Sequence, residues 1–302
     1  NGLWFFNSQT HSFHEYFLKK SNIKYDIRSL LLEGDNLWVG TYAEGLHVLN
    51  LKTGNIKSYT YSRDIPNTLC SNDVLSLFKD RKGEIFVGTS WGLCRYNPQS
   101  DNFINVGAMA SVTDIYEDMY NNLWIATSNR GVFCYNTVGE EWKHFEHIRE
   151  DLTTITSNSV ITLFEDRKGT MWFGTNGGGL CSFSKETETF VDFDPENIWL
   201  PDKVIYSIEQ DLAGNFWISC NSGLYQFNPA DKNKNCLFTI NDGLQGNQFT
   251  AQSSLASSTG KMYFGGVNGF NVFEPKEFTD NTYLPPVYVI NISFPNLNNE
   301  RE

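Results

Sequence analysis

Apolar residues in this chain come in short bursts rich in β-branched and aromatic side chains, each followed by a polar stretch holding Gly, Asn or Asp. Residues 160–183 show the pattern most cleanly, as VITLFEDRKGTMWFGTNGGGLCSF. Residues 160–164 and 171–175 read as two strands of a hairpin joined through Glu165-Asp166-Arg167-Lys168-Gly169, a third strand follows at 180–183, and residues 189–193 supply a fourth. The unit recurs. Its second strand carries an aromatic residue at Trp38, Phe86, Trp124, Trp172, Trp217 and Tyr263, spaced 38 to 48 residues apart, and its third strand opens on Gly2, Gly45, Gly92, Gly131, Gly179, Gly223 and Gly269. Repeats of this length that each hold four short strands cannot bury both sheet faces alone, but they can when packed radially. The expectation is an all-β fold, a β-propeller of four-stranded antiparallel blades over residues 1–280. Seven blades are expected, from six clear repeats plus a partial one at the N-terminus.

Most of the repeated residues have a scaffold reason. Gly83, Gly169, Gly214 and Gly260 fall in the first hairpin turn, where positive φ is expected. Asp80, Asp166 and Asp211 precede the first three of these and are placed to accept backbone N–H groups across the loop. The aromatic residue at the strand centre is expected to pack blade against blade.

Composition narrows the partners. The formal charge is −12 with a pI near 4.9, and no basic patch emerges, which excludes nucleic acid or anionic lipid as the expected partner of this segment. No apolar run is long enough to span a bilayer as a helix. The cysteines, Cys70, Cys94, Cys134, Cys181, Cys220 and Cys236, form no C-x-x-C pair, so zinc is not expected and buried free thiols are. The chain enters at Gly2 in mid-repeat and is expected to be part of something longer. After residue 280 the pattern stops at Pro285-Pro286 and another apolar strand begins at Val287, so residues 281–302 read as a linker and the first strand of a truncated domain.

Catalytic motifs fail on context. Gly88-Thr89-Ser90-Trp91-Gly92 matches G-x-S-x-G, but that motif needs a strand-to-helix turn, and Ser90 falls in a hairpin loop of the repeat. Asp166 to Trp172 resembles the Asp-box of sialidases with one extra residue, a turn element that speaks of fold rather than catalysis. His144 and His147, like His11 and His14, are spaced so that their side chains point to opposite faces. No catalytic residue, metal site or cofactor is expected.

The units LWVGT…GLHVLN, MWFGT…GGLCSF and FWISC…GLYQFNP resemble the regulator-propeller repeats of periplasmic sensor regions in Bacteroides-type hybrid two-component systems, and DGLQGNQF…MYFGGVNGFNVFEP followed by LPPVYVINISF resembles the end of such a propeller and the start of a tyrosine-rich immunoglobulin-like domain. The resemblance implies a non-enzymatic, periplasmic, ligand-sensing segment of a membrane-bound histidine kinase. Such a segment detects oligosaccharides, works as a homodimer, is attached to the membrane through parts beyond this chain, and regulates transcription of carbohydrate-use genes. The rival readings are a sialidase-like glycosidase or lyase and a protein-interaction scaffold. Within the repeat, scaffold demands relax in the loop between the second and third strands. Tyr42, Glu44, Trp91, Arg130 and Asn176 on these loops, with Trp199 on a long connection of the same face, are the candidate ligand-binding residues: the aromatic rings to stack on sugar faces, the polar groups to bond hydroxyls.

Overall fold

The computed structural model describes residues 2–7, 9–10, 12–16, 25–107, 110–137, 139–194, 200–228 and 235–278. The expected strand at 287–294 and the domain boundary near 280 lie outside these residues, as does Trp199.

Each repeat folds as one antiparallel sheet. A hairpin of β1 (Leu3–Asn7) and β2 (Ser12–Tyr16) comes first. Blade I holds β3 (Ile27–Glu33), β4 (Asn36–Thr41), β5 (Leu46–Asn50) and β6 (Ile56–Tyr59), and blade II holds β7 (Val74–Lys79), β8 (Ile85–Thr89), β9 (Gly92–Asn97) and β10 (Asn102–Gly107). Blade III holds β11 (Val112–Glu117), β12 (Asn122–Thr127), β13 (Val132–Asn136) and β14 (Glu141–Phe145). Blade IV holds β15 (Val160–Glu165), β16 (Met171–Thr175), β17 (Leu180–Ser184) and β18 (Thr189–Asp192), and blade V holds β19 (Ile205–Gln210), β20 (Phe216–Cys220), β21 (Gly223–Phe227) and β22 (Cys236–Phe238). Blade VI shows three strands, β23 (Phe249–Ala256), β24 (Met262–Gly266) and β25 (Gly269–Phe273). The first strands of consecutive blades lie side by side in chain order, which makes β3, β7, β11, β15, β19 and β23 the innermost layer of a propeller.

The core sits in the seams. One cluster joins Trp38 and Leu46 of blade I to Val74, Val87 and Phe103 of blade II, and another joins Trp124 and Val132 of blade III to Val160, Phe173 and Phe190 of blade IV. The glycine of the W-x-G-T motif is required by this packing. A Cβ on Gly88 would fall 2.6 Å from Cγ1 of Val112, on the inner strand of the next blade. Gly88→Ala is therefore expected to lower stability by about 1–3 kcal/mol in urea unfolding, because β8 and β11 must move apart to admit the methyl group.

Two of the three expected hairpin aspartates, Asp166 and Asp211, and the unexpected Asp118 do more than close a turn. Oδ1 of Asp211 accepts the backbone N–H groups of Ala213 and Asn215, while Oδ2 accepts the Asn215 amide and, at 3.0 Å, the indole N–H of Trp217. Asp118 holds Trp124 and Asp166 holds Trp172 in the same way, at 2.9 and 3.1 Å. Blade I departs from this plan. Its first hairpin turns tightly at Gly34-Asp35, Glu33 goes to Lys79 of blade II, and the buried indole N–H of Trp38 has no acceptor among the described residues.

The inner strands of blades I to V each begin with a bulge, which leaves Thr113 and Ile161 outside the ladder of their own sheets. Gln252, at positive φ in the irregular β23, donates its side-chain amide to the carbonyl oxygens of both, at 2.5 and 2.9 Å. The sixth blade is thereby tied across the inner layer to the third and fourth.

The expected buried free thiols need two corrections: Cys236, on the outer strand β22, is exposed, and two of the other cysteines are paired. Cys70 and Cys94 are joined in a disulfide, because the connection before β7 folds back over blade II and brings Cys70 to β9; the connection before β15 folds the same way and brings Thr156 to Cys181. Cys134, Cys181 and Cys220 are buried thiols as expected, and burial pushes each upward, to about 12, 11 and 11.

Candidate functional site

The loops between the second and third strands of blades I to IV are tied down by a local clasp. The threonine that ends the second strand donates its hydroxyl to the carbonyl of the glycine that opens the third: Thr41 to Gly45, Thr89 to Gly92, Thr127 to Gly131 and Thr175 to Gly179, at 2.7 to 2.9 Å. The same loops bond the connection that follows their blade, as in Gly45 N–H to Asn72, Gly131 N–H to Asn158 and Gly177 N–H to Lys203. Loops and long connections therefore share a face.

The residues singled out on this face are held separately. Tyr42 is exposed and lies under the Arg28 guanidinium at 5.4 Å, and Trp91 is 76% exposed. Glu44 is exposed on the same loop as Tyr42. Arg130 is engaged by its own blade, with its guanidinium over the Phe133 ring and 4.0 Å from the Glu146 carboxylate. Asn176 is fixed through its backbone, donating to Ser159 and accepting from the Ser157 hydroxyl. None of these five lines the described cavities.

The largest described cavity is elsewhere. It is a groove of 840 Å³ along the outer seam between blades I and II, within the size range of small-molecule sites. Trp38 and Ile85 form its buried floor, and Tyr59 of β6 and Tyr96 of β9 stand in its walls. The rings of Trp38 and Tyr96 meet edge to face with centroids 5.0 Å apart. Both tyrosine hydroxyls donate to Oδ1 of Asp101, at 2.7 and 2.8 Å, and the Lys57 ammonium pairs with its Oδ2. Those three hydrogen bonds, Lys57 first, hold the Asp101 carboxyl down at about 2. Burial, reinforced by the bond to Asp101, pushes the Tyr59 phenol up to about 12, and burial likewise raises Tyr96. The phenols thus stay protonated donors, and the two tyrosines stay aimed at one carboxylate.

The rim of the groove is rich in amides. Asn50 donates to Asn36, whereas the side-chain amides of Asn55 and Gln99 make no bond among the described residues. Arg95 pairs with Glu84 across the groove's second wall. These residues escape a reading of the repeat because the groove draws on the outer strand of one blade and the third strand of the next. The available signal was chemical: Tyr59 and Tyr96 stand where the seam of blades III and IV carries Phe145 and Phe183. Among the described residues no cluster of His, Cys, Asp and Glu is arranged to hold a metal ion.

Residues 108–129 and 154–177 match the family model for the two component regulator propeller. A curated relative, histidine kinase P4 of Formosa agariphila, is 25% identical over 282 residues, an alignment that covers 90% of this chain and 20% of the relative. The chain thus spans about one fifth of the length of that protein. Among solved structures, the extracellular domain of a B. thetaiotaomicron protein described as a hybrid two-component system superposes with a TM-score of 0.53 at 21% identity, covering 98% of this chain and 39% of that one. PorZ of Porphyromonas gingivalis, a surface component of the type-IX secretion system, superposes with a TM-score of 0.65 at 20% identity, covering 82% of this chain and 38% of that one. At these identities the two structures speak for the fold alone. The sequence matches go further: two segments of this chain match the two component regulator propeller model, and a curated protein to which most of the chain is similar is described as a histidine kinase.

Proposed function

We propose that this chain is the ligand-sensing propeller of a hybrid two-component sensor kinase, placed in the periplasm, binding oligosaccharides, and signalling as a homodimer across the membrane to control transcription of carbohydrate-use genes. The observation that carries the reading is the match of two of its segments to regulator-propeller repeats within an architecture that the other blades repeat. The Cys70–Cys94 disulfide supports an oxidising compartment. Seven blades belong to the proposal as well. The β1–β2 hairpin packs Leu3 against Tyr25, Val39 and Leu49 at the blade I end, and packs Phe6 and Phe13 on Phe270 of blade VI, so it stands where the outer half of a seventh blade would close the ring.

Sensing requires that ligand favour one arrangement of the receptor over another, and reversing a population from 1:99 takes about 5.5 kcal/mol of differential affinity. The test is a thermal-shift screen of the protein against neutral and acidic oligosaccharides with product analysis alongside. A saturable, size-selective rise in Tm with the sugar recovered intact is expected, and saturation at about a hundredfold excess over Kd corresponds to about 2.7 kcal/mol. Turnover of any sugar would replace the sensor reading by an enzyme.

A further inference from the structure

The seams of the propeller repeat one plan, so each is a control for the others. At the III–IV seam, Trp124, Phe145 and Phe183 stand together with centroids 5.0 to 6.0 Å apart. At the V–VI seam the same stations carry Trp217, Phe238 and Phe273, and a fourth ring, Phe278 from beyond β25, lies on all three at 5.5, 5.0 and 5.4 Å. The trio is therefore a platform that accepts a ring, and at the V–VI seam the chain supplies that ring itself.

The I–II seam keeps the platform as Trp38, Tyr59 and Tyr96 and changes its dress. Both phenylalanines become tyrosines, and Trp38 lacks the aspartate that holds Trp124 and Trp217. The cavity widens from 380 Å³ at the III–IV seam to 840 Å³. The amides of Asn55 and Gln99 stand at the rim with no partner among the described residues. A ring with hydroxyls on its edge suits this surface better than the phenyl group that fills the V–VI seam.

From these departures we propose that the groove between blades I and II binds a neutral oligosaccharide, one sugar face lying against the Tyr59 and Tyr96 walls over Trp38, with the amides of Asn55 and Gln99 bonding its hydroxyls. The inference rests on the sensor reading above and locates its ligand. A neutral ligand follows from charge: Lys57 is paired with Asp101, Arg95 with Glu84 and Glu33 with Lys79 beside the groove, so among the described residues Lys82 alone of the lining charges has no ion-pair partner, and the net charge of −12 repels anions at long range. Aromatic faces with a few convergent polar groups are the usual makeup of a small-molecule site.

The experiment is isothermal titration of the protein with cellotetraose, xylotetraose, laminaritetraose, mannotetraose and trigalacturonic acid, repeated on four variants. The Tyr59→Phe/Tyr96→Phe pair restores the trio of the III–IV seam, removes the two hydroxyls by which Asp101 aims the walls of the groove, and is expected to fold, as is Asn55→Ala/Gln99→Ala on the rim. Tyr42→Ala and Trp91→Ala probe the loop face. At least one neutral tetraose is expected to bind, the two groove variants to weaken it by about tenfold or more with Tm retained, and the two loop variants to leave it unchanged. Loss on Trp91→Ala or Tyr42→Ala with the groove variants intact overturns the groove while leaving the sensor reading standing. Binding of trigalacturonic acid alone overturns the neutral class. If none of the sugars binds, the groove proposal falls together with oligosaccharide sensing by this chain.

Discussion

Asp211→Ala is expected to lower the stability of the propeller by about 2–4 kcal/mol, read as a fall in the urea midpoint at unchanged slope. The side chain serves four donors at once, and the innermost of them, the Trp217 indole N–H, is sealed in the V–VI seam, where Trp217 is 0% exposed. Water can replace the carboxylate at the two backbone N–H groups near the surface, but it cannot reach the indole, so most of the loss falls there. Blade II supplies the comparison. Asp80 closes the same turn on Glu84 N–H at 2.7 Å, yet the residue at the Trp217 station is Phe86, which has no N–H to satisfy. Asp80→Ala is therefore expected to lose only about 1 kcal/mol. The Trp217→Phe variant completes a double-mutant cycle with Asp211→Ala, and additive effects would rule out the clasp as the source of the difference.

The clasp also marks how far the sequence could be read. The Asp, Gly and Trp of one hairpin stand within seven residues, so their joint purpose lies in a single stretch of chain. The turn was legible from Asp and Gly; the indole bond was not, because a side chain that packs and a side chain that also donates look alike in a repeat. Strand order, the blade pattern and the positive φ of Gly83, Gly169, Gly214 and Gly260 followed from the same local patterning. Features assembled across blades did not. Cys70 reaches Cys94 from a connection that is copied before β15, but there Thr156 stands at the place of Cys70 beside Cys181, so the repeat brings the two stations together and only one seam carries a cysteine at both; the I–II groove takes Asn55 and Tyr59 from one blade and Tyr96 and Gln99 from the next. Loops such as Tyr42-Ala43-Glu44 drew attention because their residues vary among repeats. The groove varies too, but within aromatic stations, where Tyr for Phe is easily passed over as scaffold.

A second large effect is expected from pH. Asp114 occupies the inner-strand station that holds Ser29, Ser76, Thr162 and Ser207 in blades I, II, IV and V. Burial raises its carboxyl to about 7, against the opposing pull of hydrogen bonds from Leu163 N–H, Ile115 N–H and the Thr162 hydroxyl. The unfolded chain releases this proton near 3.8, so between that pH and 7 the folded state holds a proton that the unfolded state has lost. Stability from this group is full below about 4, declines as pH rises toward 7, and is level above it, a total change of about 4 kcal/mol for a shift of about three units. Glu209, raised in the same direction by burial, steepens the decline. Asp114→Ser installs the side chain of the neighbouring blades and removes the titration. The wild-type protein should therefore melt higher at pH 5 than at pH 8, with most of that difference abolished in Asp114→Ser. A wild-type stability that rises from pH 5 to pH 8 would mean that Asp114 is ionised in the folded state, its charge carried by Leu163, Ile115 and Thr162 despite the burial.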